Sequence, residues 1–176
     1  MKILVTGNHG YIGTVLTSVL SEKGYEVVGL DMNYFKDCSL EHVENVSTQI
    51  TKDIREIESS DIKDFEGIIH LAALSNDPLG ELAPNLTQEI NYGATMRIAT
   101  IAKEAGVQRF IYASSQSMYG ISNTEKELDE EESEKTPVTA YARTKWDAEL
   151  GLRSMNNEDF FVICFRPSTV FGVSPR

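Results

Sequence analysis

Residues 6–14, TGNHGYIGT, set Gly7, Gly10 and Gly13 between a short β-rich run, KILVT at 2–6, and an apolar stretch of helical spacing. Glycines here let the backbone turn sharply and approach an anion closely. The N–H groups and dipole of the following helix can then hold that anion. The feature commits the first thirty residues to a strand–turn–helix–strand unit. The spacing is Gly-x-x-Gly-x-x-Gly rather than Gly-x-Gly-x-x-Gly, and alone it also fits a turn that is merely tight.

The downstream pattern extends that unit. Tyr11, Val15, Val19 and Leu20 fall at helical spacing, and Gly24 is a plausible stop. YEVVGL (25–30) reads as a second strand, VSTQI (46–50) as a weaker third and GIIHLAA (67–73) as a fourth. Residues 84–105 form a long helix ending at Gly106. RFIYAS (109–114) is a fifth strand, a helix spans 139–155, and FFVICF (160–165) is a sixth strand. Strands alternating with helices predict an α/β fold: a Rossmann-like, doubly wound parallel sheet with flanking helices. The strands are nearly continuously apolar, as a sheet covered on both faces requires. The acidic segment 122–137 reads as a solvated surface loop, or as a flap beside the active site.

Asp31 ends the second strand, where a carboxylate can accept hydrogen bonds from adenosine ribose hydroxyls. No arginine is adjacent in sequence to receive a 2′-phosphate, so NAD is the expected dinucleotide. The length, 176 residues, suits one cofactor-binding domain, and the net charge of −11 turns nucleic acid and anionic membranes away. Two cysteines make neither a disulfide framework nor a metal cluster, and Cys164 reads as a small core residue. No run is long enough to span a bilayer, and a cytoplasmic location is expected.

Eight pieces then occur in order: TGNHGYIG, LD at 30–31, DIR at 53–55, HLAA at 70–73, NYGAT at 91–95, YASSQSMYG at 112–120, YARTK at 141–145 and RPSTVFG at 166–172. Together they resemble the extended short-chain dehydrogenase/reductases of the nucleotide-sugar epimerase/dehydratase group. The resemblance implies that Gly7, Gly10, Tyr11, Ile12 and Gly13 line the pyrophosphate of NAD. Asp31 would hold the adenosine ribose, with Asp53 and Ile54 beside the adenine. Leu71, Ala72 and Ala73 would pass beneath the cofactor, and Asn91 would support the strand ends. Pro167 and Val170 would lie near the nicotinamide. Ser115, Tyr141 and Lys145 would be the catalytic trio, and no metal is implied. Ser75, Asn76 and Asp77 are candidates to face substrate, as is Gln116, although 74–82 also reads as a capping turn.

A base must take the hydroxyl proton when a sugar C–H is oxidised. A free tyrosine has a pKa near ~10 and needs roughly 4 kcal/mol of differential stabilisation to act near neutrality. A Lys145 ammonium one helical turn away and a positive nicotinamide ring are the expected sources. Dehydratases of this family usually carry an Asp-Glu pair after the catalytic hydroxyl. Here Gln116 and Ser117 stand there, which argues against 4,6-dehydration. The expected activity is a nucleotide-sugar epimerase, at C4, on a UDP-, dTDP- or GDP-linked sugar. Alternatives are a keto-sugar or other extended-family reductase, and a non-catalytic NAD(P)-binding protein. The family builds its substrate domain largely from sequence beyond FGVSPR, so that domain is expected to be largely absent here, leaving cofactor binding with little turnover. A homodimer through the two long helices is also expected, with Ala94, Ile98, Ile101 and Ala102 as candidates for one face.

Overall fold

The computed structural model describes residues 1–40, 46–75, 77–121 and 127–176. The substrate-facing candidate Asn76 and positions 122–126 of the acidic segment lie outside the described residues. The strands are β1 (Lys2–Thr6), β2 (Glu26–Asp31), β3 (Thr48–Thr51), β4 (Gly67–His70), β5 (Arg109–Ala113) and β6 (Phe161–Phe165). The helices are α1 (Tyr11–Glu22), α2 (Ser59–Ile62), α3 (Asp77–Leu82), α4 (Pro84–Thr87), α5 (Thr95–Glu104) and α6 (Ala140–Met155). A π-helical segment, Gln88–Ala94, joins α4 to α5.

All six strands pair in parallel, in the order β3-β2-β1-β4-β5-β6. The order reverses between β1 and β4. At such a switch point the loops leaving the strands' carboxyl ends diverge and open a crevice. Alternation along each strand divides the core. Leu4, Val28, Ile68 and Phe110 pack under α5 and α6 with Ile98, Ala102, Ala148 and Leu152. Ile3, Val5, Val27 and Ile69 face the other way, against Leu16 and Leu20 of α1. The two faces explain why these strands read as unbroken apolar runs.

Four expectations change. On α1, Tyr11, Val15 and Val19 are 40, 40 and 41% exposed, while Gly13, Thr14 and Thr17 are its buried residues. The helix start is pressed so close to the glycine loop that only small or self-bonded side chains fit: the Thr17 hydroxyl returns to the Gly13 carbonyl at 2.9 Å. The fourth strand stops at His70, because Leu71–Ala73 leave the ladder for the crevice. β6 is covered on one face only, with Phe161, Ile163 and Phe165 at 53, 36 and 58% exposure. Ala94, Ile98 and Ala102 are buried in the chain's own core and Ile101 packs against it, so they offer no dimer face. The outward residues of α5 are Arg97, Thr100, Lys103 and Glu104.

The described part of the acidic segment folds back onto α6. Glu131 pairs with Arg153 at 2.9 Å, and the Thr136 hydroxyl donates to the Tyr119 carbonyl at 3.0 Å. Cys164 is half-buried and packed against the core, and burial pushes its thiol up to about 12, as an inert small core residue requires.

Candidate cofactor cleft and catalytic site

The crevice at the switch point is a cleft of about 710 Å³. Its first wall is the glycine loop. Gly7 has φ +74°, and its N–H donates to the Leu30 carbonyl at 2.8 Å. A Cβ on Gly7 would lie 2.7 Å from the Ala72 nitrogen, and one on Gly13 would lie 2.2 Å from the Gly7 carbonyl oxygen. These two glycines therefore answer to different demands: Gly7 to a left-handed turn beneath β4's exit, Gly13 to the approach of α1. Gly10 caps α1 with no side-chain cap of its own, which leaves the helix's first N–H groups directed at the cleft.

Asp31 stands at the end of β2. Its carboxylate accepts from the Asn33 N–H at 2.8 Å and lies 3.4 Å from the His9 N–H, which fastens it beside the glycine loop. Asp53 also lines the cleft. Its carboxyl is held below the usual range, first by the Arg55 side chain, with an Nη2–Oδ2 distance of 2.6 Å. Leu71, Ala72, Ala73 and Ser75 form the floor, and Pro167 and Val170 the far side.

Three further residues arrive from two elements. Ser115 follows β5 and opens a 3-10 turn (Gln116–Tyr119), where its Oγ accepts from the Ser117 N–H at 3.1 Å. Thr139 caps α6, accepting from the Ala142 N–H at 3.1 Å and donating to Asp77 Oδ1 at 2.7 Å. That cap fixes the first turn of α6, so Tyr141 and Lys145 share one face toward the cleft. Lys145 is buried. Its Nζ donates to the Ala113 carbonyl at 2.7 Å and lies 5.9 Å from the Tyr141 ring centroid.

The electrostatics differ from the sequence expectation. Burial pushes the Tyr141 phenol up, with Asp77 adding to it, while the Ser115 hydroxyl opposes it. Burial brings Lys145 down to about 7. The lysine sits over the Tyr112 ring, 4.7 Å from its centroid, and donates to a neutral carbonyl rather than to a carboxylate. Burial thus favours the protonated phenol.

Three candidates lie off the cleft wall: Asn91, Gln116 and Asp77, whose carboxylate accepts from the Thr139 hydroxyl instead. Asn91 is buried beneath the strand ends. Its amide accepts from the Leu74 N–H at 2.8 Å and donates to the Leu74 carbonyl at 3.1 Å, which makes it a brace for the wall. Gln116 is exposed and outside the cleft lining. Conversely, His9, Tyr34, Phe35, Ser114 and Arg176 line the cleft without having been read from the sequence. Arg176 arrives through a long-range fold. Ser174 Oγ donates to the Tyr11 carbonyl at 2.9 Å, Tyr11 hydrogen-bonds the Gly172 carbonyl, and the Arg176 guanidinium lies 4.2 Å from the Phe35 ring centroid. Arg55 and Arg176 thus join Asp31 along one cleft, though no arginine is its neighbour in sequence. No local pattern announces such contacts.

A parallel sheet with a glycine loop and a terminal acid at its switch point, and a serine, tyrosine and lysine facing the same cleft, defines a Rossmann-like dinucleotide-binding domain of the short-chain dehydrogenase/reductase type. Residues 3–176 match the model of the NAD dependent epimerase/dehydratase family, and the chain belongs to that family. Among curated relatives, the chain is 31% identical over 189 residues to dTDP-D-glucose 4,6-dehydratase of Mus musculus, covering 97% of this chain and 51% of the relative. It is 31% identical over 185 residues to UDP-glucose 4-epimerase of Mycolicibacterium smegmatis, covering 98% and 57%. Among solved structures, UDP-N-acetylglucosamine 4-epimerase from Methanobrevibacter ruminantium M1 in complex with UDP-N-acetylmuramic acid superposes with a TM-score of 0.82 at 25% identity, covering 94% of this chain and 54% of that one. MoeE5 in complex with UDP-glucose and NAD superposes with a TM-score of 0.78 at 27% identity, covering 93% and 52%. The chain spans about half the length of these relatives.

Proposed function

We propose that this chain is the cofactor-binding part of an NAD-dependent nucleotide-sugar epimerase acting at C4 of a UDP-, dTDP- or GDP-linked sugar. The observation that carries the reading is the meeting of Ser115, Tyr141 and Lys145 in the same cleft as the glycine loop and Asp31. The cleft suits NAD: Gly7 and Gly13 let the loop and the start of α1 close against their own backbone at one wall, and Asp31 is fastened where ribose hydroxyls can donate to it. NAD when bound supplies the hydride acceptor. The chain's own groups do the rest. The Ser115 hydroxyl orients the reacting sugar oxygen, the Tyr141 phenolate takes its proton, and the Lys145 ammonium stabilises that phenolate. The proton held on Tyr141 would return to the same oxygen when the ketone is reduced from its other face, so epimerisation would need no further acid or base.

Curated relatives include a 4,6-dehydratase as well as 4-epimerases. Elimination of water needs an acid and a base next to the catalytic hydroxyl. Gln116 is neutral and turned outward, and the Ser117 Oγ is 3.0 Å from the Ser115 Oγ. That favours epimerisation over dehydration. A reductase acting on a keto-sugar would use the same three residues but consume reduced cofactor. The test is to incubate the chain with NAD and a panel of nucleotide sugars, following reduced-nicotinamide absorbance and product stereochemistry. A transient signal lost in Tyr141→Phe supports the reading. Stoichiometric consumption of added NADPH, or release of a dehydrated sugar, would contradict it. The cleft is expected to bind NAD.

A further inference from the structure

His70 is fully buried at the end of β4, between the rings of Phe110 and Tyr112 at 6.0 and 5.9 Å. It is not part of the cleft lining and has no place in the chemistry above. Its hydrogen bonds nevertheless run toward two walls of the site, the Leu71–Leu74 segment and α6. The Thr95 hydroxyl donates to the Asn91 carbonyl at 2.7 Å, so its one proton is spent. His70 Nε2, 2.9 Å from Thr95 Oγ1, must therefore be the donor of that pair. A neutral imidazole then has a bare Nδ1, which accepts from the Thr6 hydroxyl at 2.6 Å. The Thr6 oxygen lies 3.4 Å from the Ala72 N–H, on the cleft floor.

The chain of bonds continues on the other side. Asn91 sits in the π-helical segment, a local widening often found at functional sites. Its side chain holds both backbone groups of Leu74 and donates to Thr144 Oγ1 at 3.3 Å. The Thr144 hydroxyl donates to the Tyr141 carbonyl at 2.9 Å. These bonds link β1, β4, the π-helical segment and α6, passing through Asn91 from its backbone carbonyl to its side chain. They begin under the cofactor floor and end on the backbone of the tyrosine.

We propose that His70, as its Nε2–H tautomer, is a positioning residue that sets the Leu71–Leu74 floor against Tyr141 through Thr6, Thr95 and Asn91. The proposal rests on reading the cleft as an NAD site. In low dielectric each member polarises the next, and an unpaired group is costly, so the path has one satisfied arrangement.

Two readouts test it. The first needs no cofactor: nitrogen-15 spectra of the histidines in the free chain. The expected result is a proton on His70 Nε2, a bare Nδ1 and no titration between about pH 5 and pH 8. A proton on Nδ1, or titration in that range, overturns the proposal. The second is NAD affinity by calorimetry, with unfolding stability measured alongside. His70→Phe and Thr95→Val are each expected to weaken NAD about tenfold, and the double variant no further than the worse single one. His70→Gln, which keeps an amide donor, should recover most of the loss. Lower stability with unchanged NAD affinity in Thr95→Val would leave His70 a mere structural residue and overturn the proposal, even if His70→Phe fails to fold. Wild-type protein that binds no NAD overturns the reading of the cleft instead, while the tautomer is still read from the spectra.

Discussion

Lys145 carries an electrostatic strain that a titration can read. Burial lowers it from 10.5 to about 7, so the unfolded chain binds one more proton than the folded chain across that interval. Stability therefore rises with pH between the two values, and the full burden falls below pH 7. Between about pH 7 and pH 9 the gain is about 2–3 kcal/mol. Lys145→Met should flatten that rise in denaturant titrations and be the more stable protein at neutral pH. An equal slope in both proteins would remove desolvation as the cause. The glycines make a separate prediction. Gly13→Ala puts a methyl 2.2 Å from the Gly7 carbonyl oxygen, so the loop must move. The expected cost is about 1–3 kcal/mol of stability, with NAD affinity reduced at least tenfold. These glycines, Asp31 and the Tyr141–Lys145 spacing were legible in the sequence because each depends on local geometry. The sign of the Tyr141 shift was not, because it depends on depth of burial and on Asp77, which lies 64 positions earlier but beside it in space.

Among elements, α6 and the turn after β5 must keep a fixed distance for Ser115 and Tyr141 to meet. A buried ion pair holds them. Arg166, just beyond β6, donates through Nε to Glu149 Oε1 of α6 at 3.1 Å and through Nη1 to the Tyr119 hydroxyl at 2.7 Å. Removing one partner leaves the other charged and buried. Arg166→Ala should cost about 3–5 kcal/mol in denaturant unfolding, whereas the exposed pair Arg153–Glu131 should cost under about 1 kcal/mol when broken. Similar losses in the two variants would show that Arg166–Glu149 is not the clamp. Strand order and helix placement were legible because alternation of apolar runs with helices leaves few parallel topologies. The buried face of α1 was not. Tyr11, Val15 and Val19 point outward, and besides Leu16 and Leu20 the helix buries Gly13, Thr14 and Thr17, whose fit comes from backbone proximity rather than hydropathy. The π-helical segment was equally hidden, since the same residues read as continuous helix.

For the molecule as a whole, one face of the sheet is uncovered at its β6 edge. Phe161, Ile163 and Phe165 stand outward on β6, and Phe171 and Val173 follow at 89 and 100% exposure. Exposed apolar side chains in such number drive association. The 176-residue polypeptide should sediment with a concentration-dependent mass, and Phe161→Ser with Phe165→Ser should reduce that dependence; a strictly monomeric wild type would contradict it. The cleft stands apart from this face, lined by the loops at the carboxyl ends of the strands. The most direct measurement of the central claim is a calorimetric titration of the chain with NAD and NADP. The account predicts saturable one-to-one binding of NAD, weaker binding of NADP against the Asp31 carboxylate, and loss of both in Gly13→Ala. No heat with NAD, or equal binding by the Gly13 variant, would mean that the glycine loop is a tight turn and nothing more.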